Sequence, residues 1–412
     1  MQVGGFCGAP AIPLQELNGV PTDIVTDSDV IASPLLSNHR HYWASPSNNV
    51  KPWRIDSEGE YGSHTAPRLS SSRLASRIME HNAPHKSSAF EGYYSKFDLP
   101  SGAHLALIVC KVKNAKFRPN KVSFTYVPKD VSKTYQKELF PEEMEMRVLS
   151  PDHAFEIAIP KVGYVKWHGN SITEYSINDE SFTFKGHTST RTPWSRRTNT
   201  PESWLVYLPL PLHWHVHSLA SECDFSLSIP GYSLPAADKD SKAIVHQEKN
   251  WAASFPAAHM WLQARKGDSS FCCAGGQILG MEAFLLGFRS KAREVDFRPP
   301  FALRVAGLSP FLTYTTDWEG KKFSLSVQSF RQKVTVEARA PEGSFFSLSA
   351  PFREGHLPNM LGQSFQAKIR VKVWESGWVG GWALVEEEVF EGGSLEFGAG
   401  YYPPRGSDKK FH

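Results

Sequence analysis

Eighteen consecutive residues, "HQEKNWAASFPAAHMWLQ", combine a carboxylate, an ammonium group, amides, two tryptophans and two histidines. If the first half of this stretch is a strand, its side chains alternate between two faces. His246, Glu248 and Asn250 then share one face, whereas Lys249 and Trp251 share the other. The pattern predicts that Glu248 does not pair with Lys249, whose stem and charge lie along Trp251 instead. Such a stretch forms either a packed barrel wall or one wall of a binding pocket.

Three histidines alternate in a second segment, "LHWHVHS". On a strand, His213, His215 and His217 share one face. Histidines spaced in this way can ligate a metal ion, but a catalytic site needs a further ligand and a hydrogen-bonded outer shell. We find no partner motif and predict no metal. Because imidazole titrates near neutral pH, His215 is a candidate for hydrogen bonding or proton transfer, with ordinary polar packing as the alternative.

A glutamate lies between large aromatic residues in "SSAFEGYYSKFDLPSG". Strand alternation puts Glu91 and Tyr93 on one face, and Phe90, Tyr94 and Lys96 on the other. A buried glutamate is costly unless it is hydrogen-bonded or neutral. The residue is therefore either a rim carboxylate with a polar partner or a pocket carboxylate.

The elements that must position these residues are mostly strands. Alternating, β-rich segments bounded by Gly, Pro, Asn or Ser recur from about residue 89 onward, and only "PRLSSSRLASRIMEH" (67–81) has a helical pattern. We predict an all-β protein of two antiparallel barrel or sandwich domains. An irregular N-terminal arm spans 1–84, the first β-domain 85–265 and the second 266–405.

Composition narrows the classes of partner. The net charge is +3 with both signs mixed along the chain, so we expect no nucleic acid. Five cysteines without C-x-x-C spacing predict neither a disulfide framework nor a structural zinc site. We expect no membrane span and no signal peptide, and we predict a cytoplasmic protein. The oligomeric state is not predicted.

Three motifs in the same order resemble the tocopherol cyclase-like family. "EKNWAASFPAAHMWLQ" resembles the family's EKNWG-SFP---W-W-Q signature, "FEGYYSKF" its FEGWYFR motif, and "WLVYLPLPLHWHVHSL" its LP…YH…SL strand. The resemblance spans about residues 85–400. It implies a calycin-related, lipocalin-like fold and an isomerisation without cofactor, in which a prenyl alkene is protonated and a phenol oxygen adds to it. Related fungal cyclases and pericyclases extend the comparison, and we predict a fungal member.

The leading hypothesis is a cofactor-independent intramolecular cyclase or isomerase for a hydrophobic prenylated or polyketide-type molecule, by acid-assisted or pericyclic ring closure. An acidic mechanism needs a glutamate that is protonated near neutral pH. We prefer Glu248, since His246 and Asn250 share its face. The candidate catalytic residues are Glu248, Glu91 and His215. The candidate substrate-binding residues are Tyr93, Tyr94, His213, His217, Lys249, Asn250, Trp251, Trp261 and Gln263. The alternative is a non-catalytic lipophile carrier on the same scaffold.

Overall fold

The computed structural model describes residues 81–403, apart from 86, 152–153, 170, 254 and 378–379. The predicted helix at 67–81 and almost all of the predicted arm lie outside these residues. Twenty-two strands make up most of the described chain. The strands are β1 Phe90–Asp98, β2 His104–Val112, β3 Asn120–Val127, β4 Tyr135–Leu139, β5 Glu145–Val148, β6 Phe155–Ile159, β7 Gly163–Trp167, β8 Thr173–Asp179, β9 Phe182–Thr188, β10 Leu212–Ser228, β11 Asp240–Ala252, β12 Ala258–Lys266, β13 Ser269–Ile278, β14 Met281–Arg289, β15 Glu294–Phe297, β16 Leu303–Val305, β17 Leu312–Asp317, β18 Lys322–Gln328, β19 Gln332–Arg339, β20 Phe346–Phe352, β21 Gly355–Ser376 and β22 Trp382–Ala399.

Helical structure in the described part of the chain is confined to three short 3₁₀ helices. They are Val131–Lys133, Ser203–Tyr207 and Ala236–Asp238. None of these segments has the length and apolarity that a helix needs to cross a lipid bilayer.

The strands form two antiparallel sheets of eleven strands each. The first has the order β4-β3-β2-β1-β11-β10-β9-β8-β7-β6-β5. The second has the order β15-β14-β13-β12-β22-β21-β19-β18-β17, with β16 paired to β14 and β20 paired to β21. The chain changes sheet between Ala252 and Ala258, ahead of the boundary predicted at residue 265. The division into two domains stays a prediction.

The first sheet curls around its own apolar core, since aromatic rings from distant strands of the sheet meet there. Phe124 of β3 stacks on Phe182 of β9 with ring centroids 4.1 Å apart. Tyr93 of β1 and Phe155 of β6 lie 5.5 Å apart. The second sheet curls similarly, with Phe284 of β14 4.9 Å from Tyr314 of β17. Each sheet therefore has one face on its own core.

The outer face of the first sheet packs against the second sheet. Ala106 and Val127 from the first sheet share an apolar cluster with Phe346 and Phe365 from the second. Strand β3 is accordingly buried along its whole length. Since both faces of such strands are covered, their polar residues must find partners inside the protein.

Candidate functional site

A cavity of about 140 Å³ lies between the two sheets. An apolar cavity of about 150 Å³ is large enough to bind benzene, so this space admits a ring-sized group. Most of the lining is apolar, and polar side chains come from both sheets. The polar and aromatic lining residues include Tyr94, Lys121, Trp214, Glu248, Asn250, His259, Trp261, Gln363 and Glu396.

The first wall is built on β11 and its two neighbours. Glu248 is paired across the sheet with Tyr94 of β1 and with Val216 of β10. Its Oε2 lies 2.9 Å from Nε2 of His246, which is two residues away and therefore on the same face. Asn250, the next residue on that face, also lines the cavity. The predicted grouping of these three β11 side chains is confirmed.

A glycine leaves room beside this wall. Gly92 of β1 is the cross-strand partner of Asn250. A Cβ atom on Gly92 would lie 3.0 Å from the Asn250 Oδ1 and 3.4 Å from the Cys110 Sγ. Any larger side chain at position 92 would therefore occupy space next to the cavity.

The second wall contains another buried carboxylate. Glu396 of β22 lies between Trp261 of β12 and Gln363 of β21 in the strand register. Its Oε1 is 2.8 Å from Nε2 of His259, and its Oε2 accepts a hydrogen bond of 2.9 Å from Nε2 of Gln363. The cavity thus faces one histidine-paired glutamate from each sheet.

The His259 ring can reach Glu396 because its cross-strand neighbour is a glycine. Gly398 pairs with His259 across β12 and β22. A Cβ atom on Gly398 would overlap the imidazole ring. The close approach therefore requires the absence of a side chain at position 398.

Burial raises the pKa of Tyr94, and the charges of Glu396 and Glu248 raise it further, while a hydrogen bond with Gln363 acts in the opposite direction. Two other donors at the cavity, the indole N–H groups of Trp214 and Trp261, are buried and have no hydrogen-bond partner among the described residues. Buried polar groups are normally hydrogen-bonded, so these donors are suited to oxygen atoms of a ligand.

The opposite face of β1 and β11 carries a separate polar cluster. The Lys249 ammonium forms an ion pair with Glu91, and its Nζ lies 3.2 Å from the Tyr93 hydroxyl oxygen. Its Nζ also lies 5.0 Å from the Trp251 ring centroid, which confirms the predicted contact. The side chain of Lys249 is 0% exposed and that of Glu91 is 5% exposed. The pair is therefore held inside the first sheet.

Glu91 stays ionised in this cluster. Burial alone would raise its pKa, but the Lys249 charge and hydrogen bonds from His85 and Lys249 outweigh burial and hold the pKa below its usual value. The backbone N–H of His85 donates to Glu91 at 3.0 Å. An ionised carboxylate has no proton to donate, so Glu91 is unsuited to the role of an acid at neutral pH.

The predicted histidine strand belongs to the same inner side of the sheet. His213 stacks on Trp251 with ring centroids 4.9 Å apart, and its Nδ1 lies 2.8 Å from the Glu202 carboxylate. The buried His215 ring lies 6.4 Å from that of His81. His217 falls in a β-bulge where the β10–β11 register shifts, so strict alternation ends there.

The structure thus divides the predicted site residues between two faces. Those that line the cavity are Glu248, Tyr94, Asn250 and Trp261. Those in the inner cluster are Glu91, Tyr93, Lys249, Trp251 and His213, with His215 beside them. Gln263 is two residues from Trp261 on β12 and contacts Ser394 instead of the cavity. Among the described residues of 81–403, no group of three or more His, Cys, Asp or Glu residues is arranged to hold a metal ion.

The sequence analysis predicted Trp261 of the second wall, but not its polar residues His259 and Glu396. His259 lies inside the stretch quoted first, and Glu396 lies between two core residues in "SLEF". A charged residue between apolar strand neighbours is the local signal that was available. The partnership of Glu396 with His259, 137 positions away in the chain, has no local signal.

Comparisons with known proteins agree with this picture at the level of the fold. A protein of Oryza sativa subsp. japonica described as "Probable tocopherol cyclase, chloroplastic" is 23% identical over 296 residues, covering 67% of this chain and 58% of that protein. The chain therefore matches less than two thirds of the length of that relative. No protein-family model matches the chain. The fungal assignment stays a prediction.

Solved structures provide the second comparison. The crystal structure of CghA with Sch210972 gives a TM-score of 0.51 at 11% identity, covering 75% of this chain and 88% of that chain. The crystal structure of kievitone hydratase from Nectria haematococca gives a TM-score of 0.48 at 8% identity, covering 79% of this chain and 91% of that chain. The likeness to CghA concerns the fold alone. The predicted all-β, lipocalin-like architecture of two curled antiparallel sheets is confirmed.

Proposed function

We propose that this protein is a cofactor-independent intramolecular cyclase or isomerase for a hydrophobic, prenylated or polyketide-type molecule. The observation that carries the proposal is the cavity between the sheets, in which a buried, histidine-paired carboxylate, Glu248, faces a mostly apolar space with two tryptophans. The similarity to a probable tocopherol cyclase and the fold shared with CghA, solved with Sch210972, support the same class.

The cavity favours ring closure by holding the ring-forming part of a flexible molecule in a reactive shape. Orientation of this kind can lower a barrier by roughly 7 kcal/mol or more in the best cases. Glu248 donates a proton to an alkene carbon. A hydroxyl oxygen of the same molecule adds to the resulting cation, which the ring faces of Trp214 and Trp261 stabilise. The product is an isomer of the substrate, so the reaction consumes no redox or group-transfer cofactor.

We assign the role of general acid to Glu248 because the state and the position of Glu91 do not suit that role. Glu91, the other candidate, is kept ionised by Lys249 and His85. Glu91 and Lys249 also lie on the face of the sheet that points away from the cavity. We assign that pair to the structural support of the β1–β11 ladder, and we assign the histidines of β10 no direct contact with the substrate in the cavity.

The test uses a lipophilic extract of the organism that carries the gene, together with a prenylated hydroquinone as a defined probe. Wild-type protein is expected to convert at least one compound into an isomer of unchanged mass, as seen by liquid chromatography and mass spectrometry. In D₂O the product gains one deuterium on carbon, because the proton added to the alkene comes from an exchangeable carboxyl. Glu248→Gln is expected to lower conversion by about a hundredfold or more, the usual contribution of a general acid.

The control is Glu222→Gln, a change of the same kind at an exposed position of the adjacent strand β10. It is expected to leave conversion unchanged. An isomer formed without deuterium would refute the acid role and indicate a pericyclic reaction. A compound that binds and is recovered unchanged from every extract would identify a lipophile carrier and overturn the proposal.

A further inference from the structure

The second carboxylate of the cavity, Glu396, takes no part in the proton donation assigned to Glu248. Glu396 belongs to the second sheet, and 9% of its surface is exposed. Its two oxygens are bound separately, Oε1 next to His259 and Oε2 next to Gln363. Burying such a group is costly, and its neighbours give it a defined orientation toward the cavity.

The hydrogen-bond pattern marks Glu396 as an acceptor. An amide nitrogen only donates, so the oxygen that faces Gln363 accepts. The Nδ1 atom of His259 is buried and has no hydrogen-bond partner among the described residues. The tautomer with its proton on Nε2 therefore fits best, and that proton also points at Glu396. Each carboxylate oxygen keeps a further lone pair for a ligand donor.

Ring closure produces a proton that needs an acceptor. When a hydroxyl oxygen adds to the alkene carbon, the oxygen–carbon bond forms and the oxygen–hydrogen bond breaks. Glu248 has by then delivered its own proton to the alkene. The ionised Glu248 carboxylate lies on the wall from which the alkene was protonated, whereas a second carboxylate on the other wall can take the proton from the hydroxyl side as the ring closes.

We propose that Glu396, positioned by His259 and Gln363, binds the hydroxyl group of the substrate and accepts its proton during ring closure. This inference rests on the proposed function, since it uses the same cavity and reaction. At the end of one turnover Glu248 is ionised and Glu396 is protonated. Exchange of one proton through water restores both groups, so the net reaction remains an isomerisation.

Binding of two small probes tests the inference without knowledge of the substrate. The hydroxyl of p-cresol is replaced by a methyl group of similar size in p-xylene, and both rings are of the size that the cavity admits. A hydrogen bond to a charged group predicts that p-cresol binds wild-type protein about tenfold tighter or more, measured by isothermal titration calorimetry. Glu396→Gln is expected to reduce that preference to about threefold or less while p-xylene affinity is unchanged.

Two further variants complete the design. Glu396→Asp keeps the charge but withdraws the carboxylate from His259 and Gln363. It is expected to lose the preference for p-cresol as well, and it provides the test if Glu396→Gln does not fold. Glu248→Gln is expected to keep the preference. A preference that survives in both Glu396 variants, or that disappears in Glu248→Gln alone, overturns the inference and leaves the proposed function standing. If neither probe binds the wild-type protein, the cavity is not a ligand site and both proposals fall.

Discussion

Replacement of Glu91 by glutamine tests the separation of the two faces of β11. The carboxylate of Glu91 is buried beside Lys249, whose side chain has no exposed surface. Glutamine keeps the size and one acceptor oxygen but removes the negative charge. We therefore expect a loss of stability that comes from the inner cluster, on the face opposite the cavity.

The magnitude follows from the burial of the pair. Removing one partner of a buried ion pair costs about 3–5 kcal/mol, mostly because the remaining charge loses its compensation. The retained amide oxygen can still accept a hydrogen bond from Lys249, so we expect about 3 kcal/mol, the lower end. With an unfolding entropy of about 2.1 cal/mol/K per residue, each kcal/mol lowers the melting temperature of a 412-residue chain by roughly 1 °C, which gives a decrease of about 3–4 °C.

The pH dependence gives the prediction a direction. The folded-state pKa of Glu91 lies below its usual value of 4.5. The ionised carboxylate therefore stabilises the fold at pH values above 4.5, and this contribution is lost as the pH falls from 4.5 through the folded-state pKa. Glutamine does not titrate, so the difference in melting temperature between wild type and Glu91→Gln should shrink as the pH is lowered below 4.5.

Differential scanning fluorimetry from pH 7 downward measures this difference. The matched control is Glu248→Gln on the neighbouring strand, whose carboxylate lies 2.9 Å from Nε2 of His246. It is expected to change the melting temperature by less than half as much. A Glu91→Gln variant as stable as wild type, or a difference that stays constant below pH 4.5, would refute the assignment of Glu91 to a buried, charged, stabilising pair.

Two further predictions concern the cavity walls. Gly398→Ala is expected to displace the His259 ring from Glu396 and to reduce the preference for p-cresol over p-xylene at least threefold; an unchanged preference would show that His259 does not position the carboxylate. Burial raises the pKa of the Cys110 thiol to about 12, so iodoacetamide at neutral to mildly alkaline pH should leave Cys110 unlabelled in the folded protein and label it after unfolding. Peptide mass spectrometry measures both states, and rapid labelling of the folded protein would contradict the burial of this wall.

Strand alternation made part of the site predictable from the sequence. The period of two assigns Glu248 and Lys249 to opposite faces, and the structure confirms this with a His246 contact on one side and a Trp251 contact on the other. The same rule stops at His217, because a bulge inserts one residue and shifts the register. The alternation of side chains therefore predicts which face a residue occupies only where the hydrogen-bond ladder of the strand is regular.

The second wall could not be predicted in the same way. Glu396 and His259 meet because β12 pairs with β22, the last strand among the described residues. Which strands pair over such a separation depends on the curl of the whole sheet, and no short segment encodes it. The resemblance to a known family helped only where its motifs lie, on β1, β10, β11 and β12. The Glu396 wall also includes residues of β13, β20, β21 and β22, where none of those motifs lies.

The two faces of β11 are physically coupled although their side chains do not meet. Lys249 pairs with Tyr93 in the same ladder in which Glu248 pairs with Tyr94. The ion pair of Lys249 with Glu91 therefore ties β1 to β11 at the position where both strands present cavity residues. A carboxylate that must meet a reacting atom needs its backbone fixed to within a fraction of an ångström. In this protein the Lys249–Glu91 ion pair lies on the face of the sheet opposite the cavity, whereas the two carboxylates proposed to act on the substrate, Glu248 and Glu396, line the cavity from different sheets.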